Sequence, residues 1–215
     1  MKVGCCGYPV STRRYQEVFR VVELNSTFYR YPRDSSVQKW REEAPEGFEF
    51  TVKANQEISH QHKLKVDLAF EAFEKMRKIN QTLKACIMLI QTPGSFKPDL
   101  LETAREFFKS IKRGDLTLVW ETRGDSWETP KVRSELRGVL EEVDVPHVTD
   151  PFRTLPVYAG HVAYFRLHGL GERMYYYQYT DEELRRLYDR VESFNRSNRE
   201  VYVFFNNLSM FDDAK

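Results

Sequence analysis

Eight short apolar runs, separated by amphipathic or loop-forming stretches, restrict the architecture open to this chain more than any other feature. They cover residues 2–6, 21–24, 48–53, 86–91, 116–121, 146–149, 163–168 and 200–205. Between them the helical period predicts helices over residues 13–19, 35–43, 64–79, 98–112, 130–142 and 181–194. Thr180 and Glu183 stand at capping-box spacing before the last of these. Strands that alternate with helices pair in parallel through right-handed crossovers. Eight is the number that closes a (β/α)8 barrel of the TIM type, and one compact α/β barrel domain is expected over residues 1–215. Two irregularities are expected: residues 151–160 read as loop where a helix would stand, and only ten residues follow the last strand, leaving a short or missing last helix. An open doubly wound sheet is the alternative, but it lacks a glycine-rich phosphate loop.

Strand parity adds a second constraint, because side chains alternate faces along a strand. Tyr164, Arg166 and His168 fall opposite Phe165 and Leu167, and Thr117, Val119 and Glu121 fall opposite Leu118 and Trp120. Glu23 and Asn25 oppose Val22 and Leu24, and Lys53 shares a face with Thr51. Charge on a buried strand face is costly unless it is paired or bound. In a barrel the C-terminal strand ends build the active face. Asn25, Lys53, Gln91, Glu121, Asp150, His168 and Asn206 are therefore expected at one mouth.

Ordered motifs accompany this pattern. Glu23-Leu24-Asn25-Ser26-Thr27-Phe28-Tyr29 is followed by Pro45-Glu46-Gly47-Phe48, Val52-Lys53-Ala54, Ile58-Ser59-His60 and Ile90-Gln91-Thr92-Pro93. Glu121-Thr122-Arg123 with Trp127, Phe165-Arg166-Leu167-His168-Gly169 and Tyr202-Val203-Phe204-Phe205-Asn206-Asn207 complete the series. The set resembles the YecE-like barrels, domain-of-unknown-function family 72, over nearly the whole chain. The resemblance implies a TIM-type barrel and supplies no reaction. Members usually carry an Asp after the two asparagines, where this chain has Leu208.

Within the expected mouth, Glu121 could exchange protons if burial raises its pKa, or could be held in an ion pair with Arg123, Lys53 or Arg166. His168 titrates near neutrality and is the other candidate for catalysis. Lys53 could clamp an anion or form a Schiff base, the first favoured because nearby carboxylates would keep its amine protonated. Arg166 has the fork that suits carboxylate or phosphate, against internal pairing with Glu23. Asn25, Gln91, Arg123, Trp127 and Asn206 complete a polar rim, and His60 sits in the loop after the third strand. Tyr29 and Tyr177, each in an aromatic cluster, could stack on a sugar or base. A divalent metal on Glu121, Asp150, His168 and His60 is the weaker reading: no His-x-His or Glu-x-x-His pair supports it, and positive charge lies close by. No cofactor is expected.

Lys and Arg number 33 against 32 Asp and Glu, which excludes a gross field for polyanions. Locally, Arg13, Arg14, Arg20, Arg30, Arg33, Lys39 and Arg41 form a basic stretch. The favoured expectation is an enzyme that binds a small anionic substrate bearing phosphate or carboxylate, sugar-like molecules included. The alternative is a barrel that binds or processes nucleic acid through the basic stretch and the tyrosine loop. No apolar run is long enough to cross a membrane and no signal-peptide core is present, so a cytoplasmic protein is expected. Cys5, Cys6 and Cys86 read as buried free thiols. A stunted last helix should expose the outer face of the eighth strand, favouring a homodimer.

Overall fold

A computed structural model describes residues 1–197 and 199–215. Its elements run β1 (Lys2–Cys5), α1 (Thr12–Val18), β2 (Val21–Leu24), α2 (Ser26–Tyr29), α3 (Asp34–Glu43), β3 (Glu49–Lys53), α4 (Val66–Leu83) and β4 (Ile87–Gln91). They continue with α5 (Leu101–Ser110), β5 (Thr117–Glu121), α6 (Pro130–Val143), β6 (His147–Val148), β7 (Val162–Leu167), α7 (Asp181–Arg196), β8 (Glu200–Phe205) and α8 (Met210–Asp213). Every strand pair is parallel.

The strands β2 to β6 form one sheet in chain order, and β1, β8 and β7 form a second. Two single parallel bridges join them: Cys6 to Glu23 beside β1 and β2, and Thr149 to Phe165 beside β6 and β7. The strands thus follow one another around a ring as the expected α/β barrel requires, with two seams in place of continuous ladders. At the first seam the Tyr15 hydroxyl, carried by α1, accepts from the Cys5 amide at 2.7 Å and donates to the Val21 carbonyl at 2.9 Å. Gly4 permits this close approach, since a Cβ there would lie 2.5 Å from the Val21 carbonyl oxygen.

Parity sorts the apolar residues as expected. Val21, Ile87, Leu89, Val119, Val148, Tyr164, Tyr202 and Phe204 fill the ring with Cys6. Phe165, Leu167, Val201, Val203 and Phe205 face outward onto Leu187 and Val191 of α7. No helix intervenes between β6 and β7, and α8 is a single turn. The capping box at Thr180 and Glu183 is formed.

Several expectations are corrected. The single turn α2 and a π-helical turn at Glu57–Gln61 are too short to carry a period, and residues 98–100 form a 3-10 turn ahead of α5. Lys63 and Leu64 adopt positive φ, delaying α4 to Val66. Cys86 is exposed just ahead of β4, while Cys5 and Cys6 are buried. The outer face of β8 is covered by α7, Met210 and Ala214, leaving Val201, Val203 and Phe205 at most 2% exposed. The premise for a homodimer through that face is gone. Among the described residues no helix is long and apolar enough to cross a membrane.

Candidate functional site

Near the C-terminal end of the ring, β2, β5 and β7 deliver charge to one point. Arg166 and Glu23 are both fully buried. The Arg166 Nε and Nη2 donate to the Glu23 carboxylate at 3.0 and 2.9 Å, and its Nη1 donates to Glu121 Oε2 at 2.6 Å. Glu23 also accepts from the Tyr164 hydroxyl at 2.7 Å and from Asn25 Nδ2 at 2.8 Å. Thr51 meets the same tyrosine hydroxyl at 2.8 Å. Arg123, in the loop after β5, reaches Glu121 Oε1 at 2.6 Å. Each carboxylate oxygen of Glu121 therefore has its own arginine.

Burial alone would raise the Glu121 carboxyl, but Arg123 and Arg166, aided by Lys53, hold it well below the usual carboxylate range. A carboxylate so held does not release or take a proton near neutrality, which removes the basis for Glu121 as acid or base. Arg166 is likewise corrected: its guanidinium is spent inside the protein and presents no fork to a ligand. The internal pairing with Glu23 is what occurs.

Arg123 donates from Nη2 to His168 Nε2 at 2.8 Å, so that nitrogen is the acceptor and the ring is neutral. Burial, with Arg123, Arg166 and Lys53, keeps the His168 pKa well below 6.5 against the pull of Glu121. Asp150 accepts from the His168 backbone amide at 3.3 Å and from the Phe152 amide at 3.0 Å. Burial raises its pKa even so. Glu121, Arg123, His147, Thr149, Asp150 and His168 line a cleft of about 370 Å³ between the ends of β5, β6 and β7. Arg123 Nε and Thr149 Oγ1 are buried there without a protein partner.

Lys53, at the end of β3, is only 7% exposed. Its Nζ lies 4.0 Å from the centroid of the Phe28 ring, and among the described residues no carboxylate pairs with it. Burial and Arg166 lower its pKa to about 8, against the opposing pull of Glu121 and Glu23. The aromatic wall is built from sequence: the buried Thr27 hydroxyl shares its one proton between Leu24 O at 2.9 Å and Lys53 O at 2.7 Å, and Asn55 Nδ2 donates to Thr27 O at 2.9 Å. These bonds fix α2, and Phe28 with it, over the end of β3.

Of the remaining residues expected at the mouth, Asn25 joins the network through Glu23, and Arg166 approaches its Oδ1 at 3.5 Å. His60 packs edge-on against Phe28 with ring centroids 5.0 Å apart. Gln91 turns onto the Thr92 carbonyl at 3.3 Å, and Asn206 is half-buried beyond β8. Tyr29 is 71% exposed and meets Phe28. Trp127 belongs to the outer core, its indole donating to Phe96 O at 3.1 Å. The Tyr177 hydroxyl donates to Glu183 at 2.6 Å, which commits it to the start of α7. The sequence placed Tyr164 on the inward face with Arg166 and His168 without assigning it to the site, and it gave no role to Thr149 or His147. Tyr164 carried a parity signal; His147 lies on a two-residue strand too short for one, and Thr149 follows it in a single bridge to Phe165.

The basic stretch is broken up by local partners. Arg13 pairs with Glu17, Lys39 with Glu43, and Arg41 with the Phe48 and Pro45 carbonyls. Among the described residues no cluster of three His, Cys, Asp or Glu side chains could hold a metal ion. His60 lies by Phe28, apart from the cleft that Glu121, Asp150 and His168 share.

Residues 10–214 match the family described as "Protein of unknown function DUF72". The chain is 28% identical to the UPF0759 protein YunF of Bacillus subtilis over 93% of its own length and 81% of that protein's. It is 31% identical to the UPF0759 protein YecE of Escherichia coli over 47% of this chain and 37% of YecE. A DUF72 family protein of Enterococcus faecalis shares its fold at a TM-score of 0.79, with 24% identity over 99% of this chain and 94% of the other. A second, from Thermotoga maritima, gives 0.75 and 26% over the same shares.

Proposed function

The chain belongs to the DUF72 family, and we propose that it is an enzyme binding a small anionic substrate at the barrel mouth. The substrate class is a molecule bearing phosphate or carboxylate, sugar-like molecules included. One observation carries this reading: Glu23 and Glu121 are matched by Arg166 and Arg123, and among the described residues no carboxylate pairs with Lys53. A buried ammonium without a partner is costly, and a ligand anion supplies one. Asp150, lining the cleft with a raised pKa, takes the proton-exchanging role that the sequence suggested for Glu121. His168, neutral and held by Arg123, orients the cleft wall.

The nucleic-acid alternative has weaker support, since local partners engage Arg13, Lys39 and Arg41 and the Tyr177 hydroxyl is bonded to Glu183, which breaks up the basic and aromatic surface it needs. The test is thermal unfolding at low salt with phosphate, sulfate, dicarboxylates and sugar phosphates, in the wild type and in Lys53→Met. The wild type should be stabilised by at least one of these anions and Lys53→Met by none. A melting temperature unmoved by every anion, or moved equally in both proteins, overturns the proposal. Binding only to oligonucleotides, with steep salt dependence, would transfer support to the alternative.

A further inference from the structure

We propose that Lys53 is a covalent nucleophile: its amine condenses with an aldehyde or ketone on the bound anion to form an iminium. This rests on the anion-binding reading and narrows it to anionic carbonyl compounds, namely oxo-acids and phosphorylated aldehydes or ketones.

The geometry supports a nucleophile over a simple clamp. A clamping lysine is best kept charged by neighbouring carboxylates, yet here both carboxylates are engaged by arginines. A nucleophilic lysine needs burial or a neighbouring cation to release its proton, and Lys53 has both, being only 7% exposed and close to Arg166. Burial and Arg166 bring the amine down to about 8, so a usable fraction is free base near neutrality. The placement is not accidental packing, because Thr27 ties α2 to the Lys53 carbonyl itself. On Phe28 also rests His60, whose Nδ1 is engaged by the Ser59 hydroxyl at 2.9 Å. Burial and Lys53 lower its pKa, leaving a neutral imidazole.

The step is balanced. The ammonium gives a proton to its surroundings, and the free amine adds to the carbonyl carbon, forming a C–N bond as the C=O π electrons move to oxygen. The alkoxide takes a proton from the added nitrogen to give the carbinolamine, whose hydroxyl takes up the one proton first released and leaves as water as the nitrogen lone pair closes the C=N⁺ bond. Ammonium plus carbonyl thus gives iminium plus water, with charge conserved and no redox partner.

The test uses glyoxylate, a small anionic aldehyde, with cyanoborohydride as trapping reductant, followed by peptide mass mapping. Near pH 7.5 Lys53 should be carboxymethylated about tenfold or more faster than exposed Lys63, Lys65 and Lys84. Phosphate should slow the labelling of Lys53 alone. Lys53→Arg should keep the phosphate-induced rise in melting temperature and lose the adduct. If phosphate stabilises the protein but Lys53 labels no faster than the surface lysines, the nucleophile inference is overturned and the anion site stands. If Lys53 labels fast and phosphate neither protects nor stabilises, the anion reading falls and the reactive amine stands. If neither occurs, both fall.

Discussion

Arg166 and Lys53 are buried cations in the same barrel, yet they stand in opposite energetic positions. Arg166 has two carboxylates in bonding distance, whereas Lys53 has an aromatic face and no anion. Neutralising one member of a buried pair leaves the rest uncompensated, so Glu121→Gln should cost about 3–5 kcal/mol in urea unfolding. The loss should be insensitive to ligand, because the residue holds Arg123 and Arg166 in place. Lys53→Met should act the other way and stabilise the apo protein. The Lys53 pKa falls from 10.5 to about 8 on folding. Between those values the unfolded chain retains a proton that the folded chain has released, so stability rises with pH across that window. The cost of the native lysine is fully present below about pH 8 and amounts to about 3 kcal/mol. The advantage of Lys53→Met should accordingly be largest at neutral pH and shrink toward pH 10.5. A constant advantage across that range would mean that Lys53 is not desolvated in solution.

At the scale of elements, the shortest pieces carry the most specific positioning. The helix α2 has four residues and could not persist alone. Thr27 holds it by one hydroxyl proton shared between two strand-end carbonyls, and that anchoring sets the Phe28 ring over Lys53. Replacing Thr27 with Val preserves shape and removes the donor, at a cost of about 1–3 kcal/mol for the carbonyls left unpaired. With Phe28 released, water reaches Lys53 and relieves the burial that lowers its amine, which should return toward its ordinary value. The measurement is the pH profile of Lys53 labelling, whose midpoint should move upward in Thr27→Val. A profile identical to the wild type would show that Phe28 holds its place without the threonine.

Over the whole molecule, closure depends on two seams where ladder bonding fails. Tyr15 repairs the first by inserting a hydroxyl between Cys5 and Val21, and Gly4 gives the strands room to approach. Tyr15→Phe keeps the ring packing and strands one amide and one carbonyl, so it should cost about 1–3 kcal/mol. Amide hydrogen exchange should localise the damage: protection should fall at Cys5 and at β1, with β4 and β5 unchanged. Equal loss of protection in all strands would show that the seam is not an independent weak point.

The parallel barrel, its missing helix between β6 and β7, its single-turn end and the inward set Glu23, Lys53, Glu121, Arg166 and His168 were all legible in residue order. Local rules suffice for these: period two assigns a side chain to a face, and apolar run length assigns the strand. What remained open was which charge meets which. Glu121 could be read as a proton donor or a paired anion, and Arg166 as a ligand clamp or a core residue, with equal support from the chain. Ring closure decided it by bringing Glu23 of β2 and Glu121 of β5 against Arg166 of β7, residues 143 and 45 apart in sequence. That arrangement spent the arginine, pinned the carboxylates and left Lys53 alone with Phe28. Pairing energy and desolvation depend on three-dimensional distance and on excluded water, and neither is a property of sequence spacing.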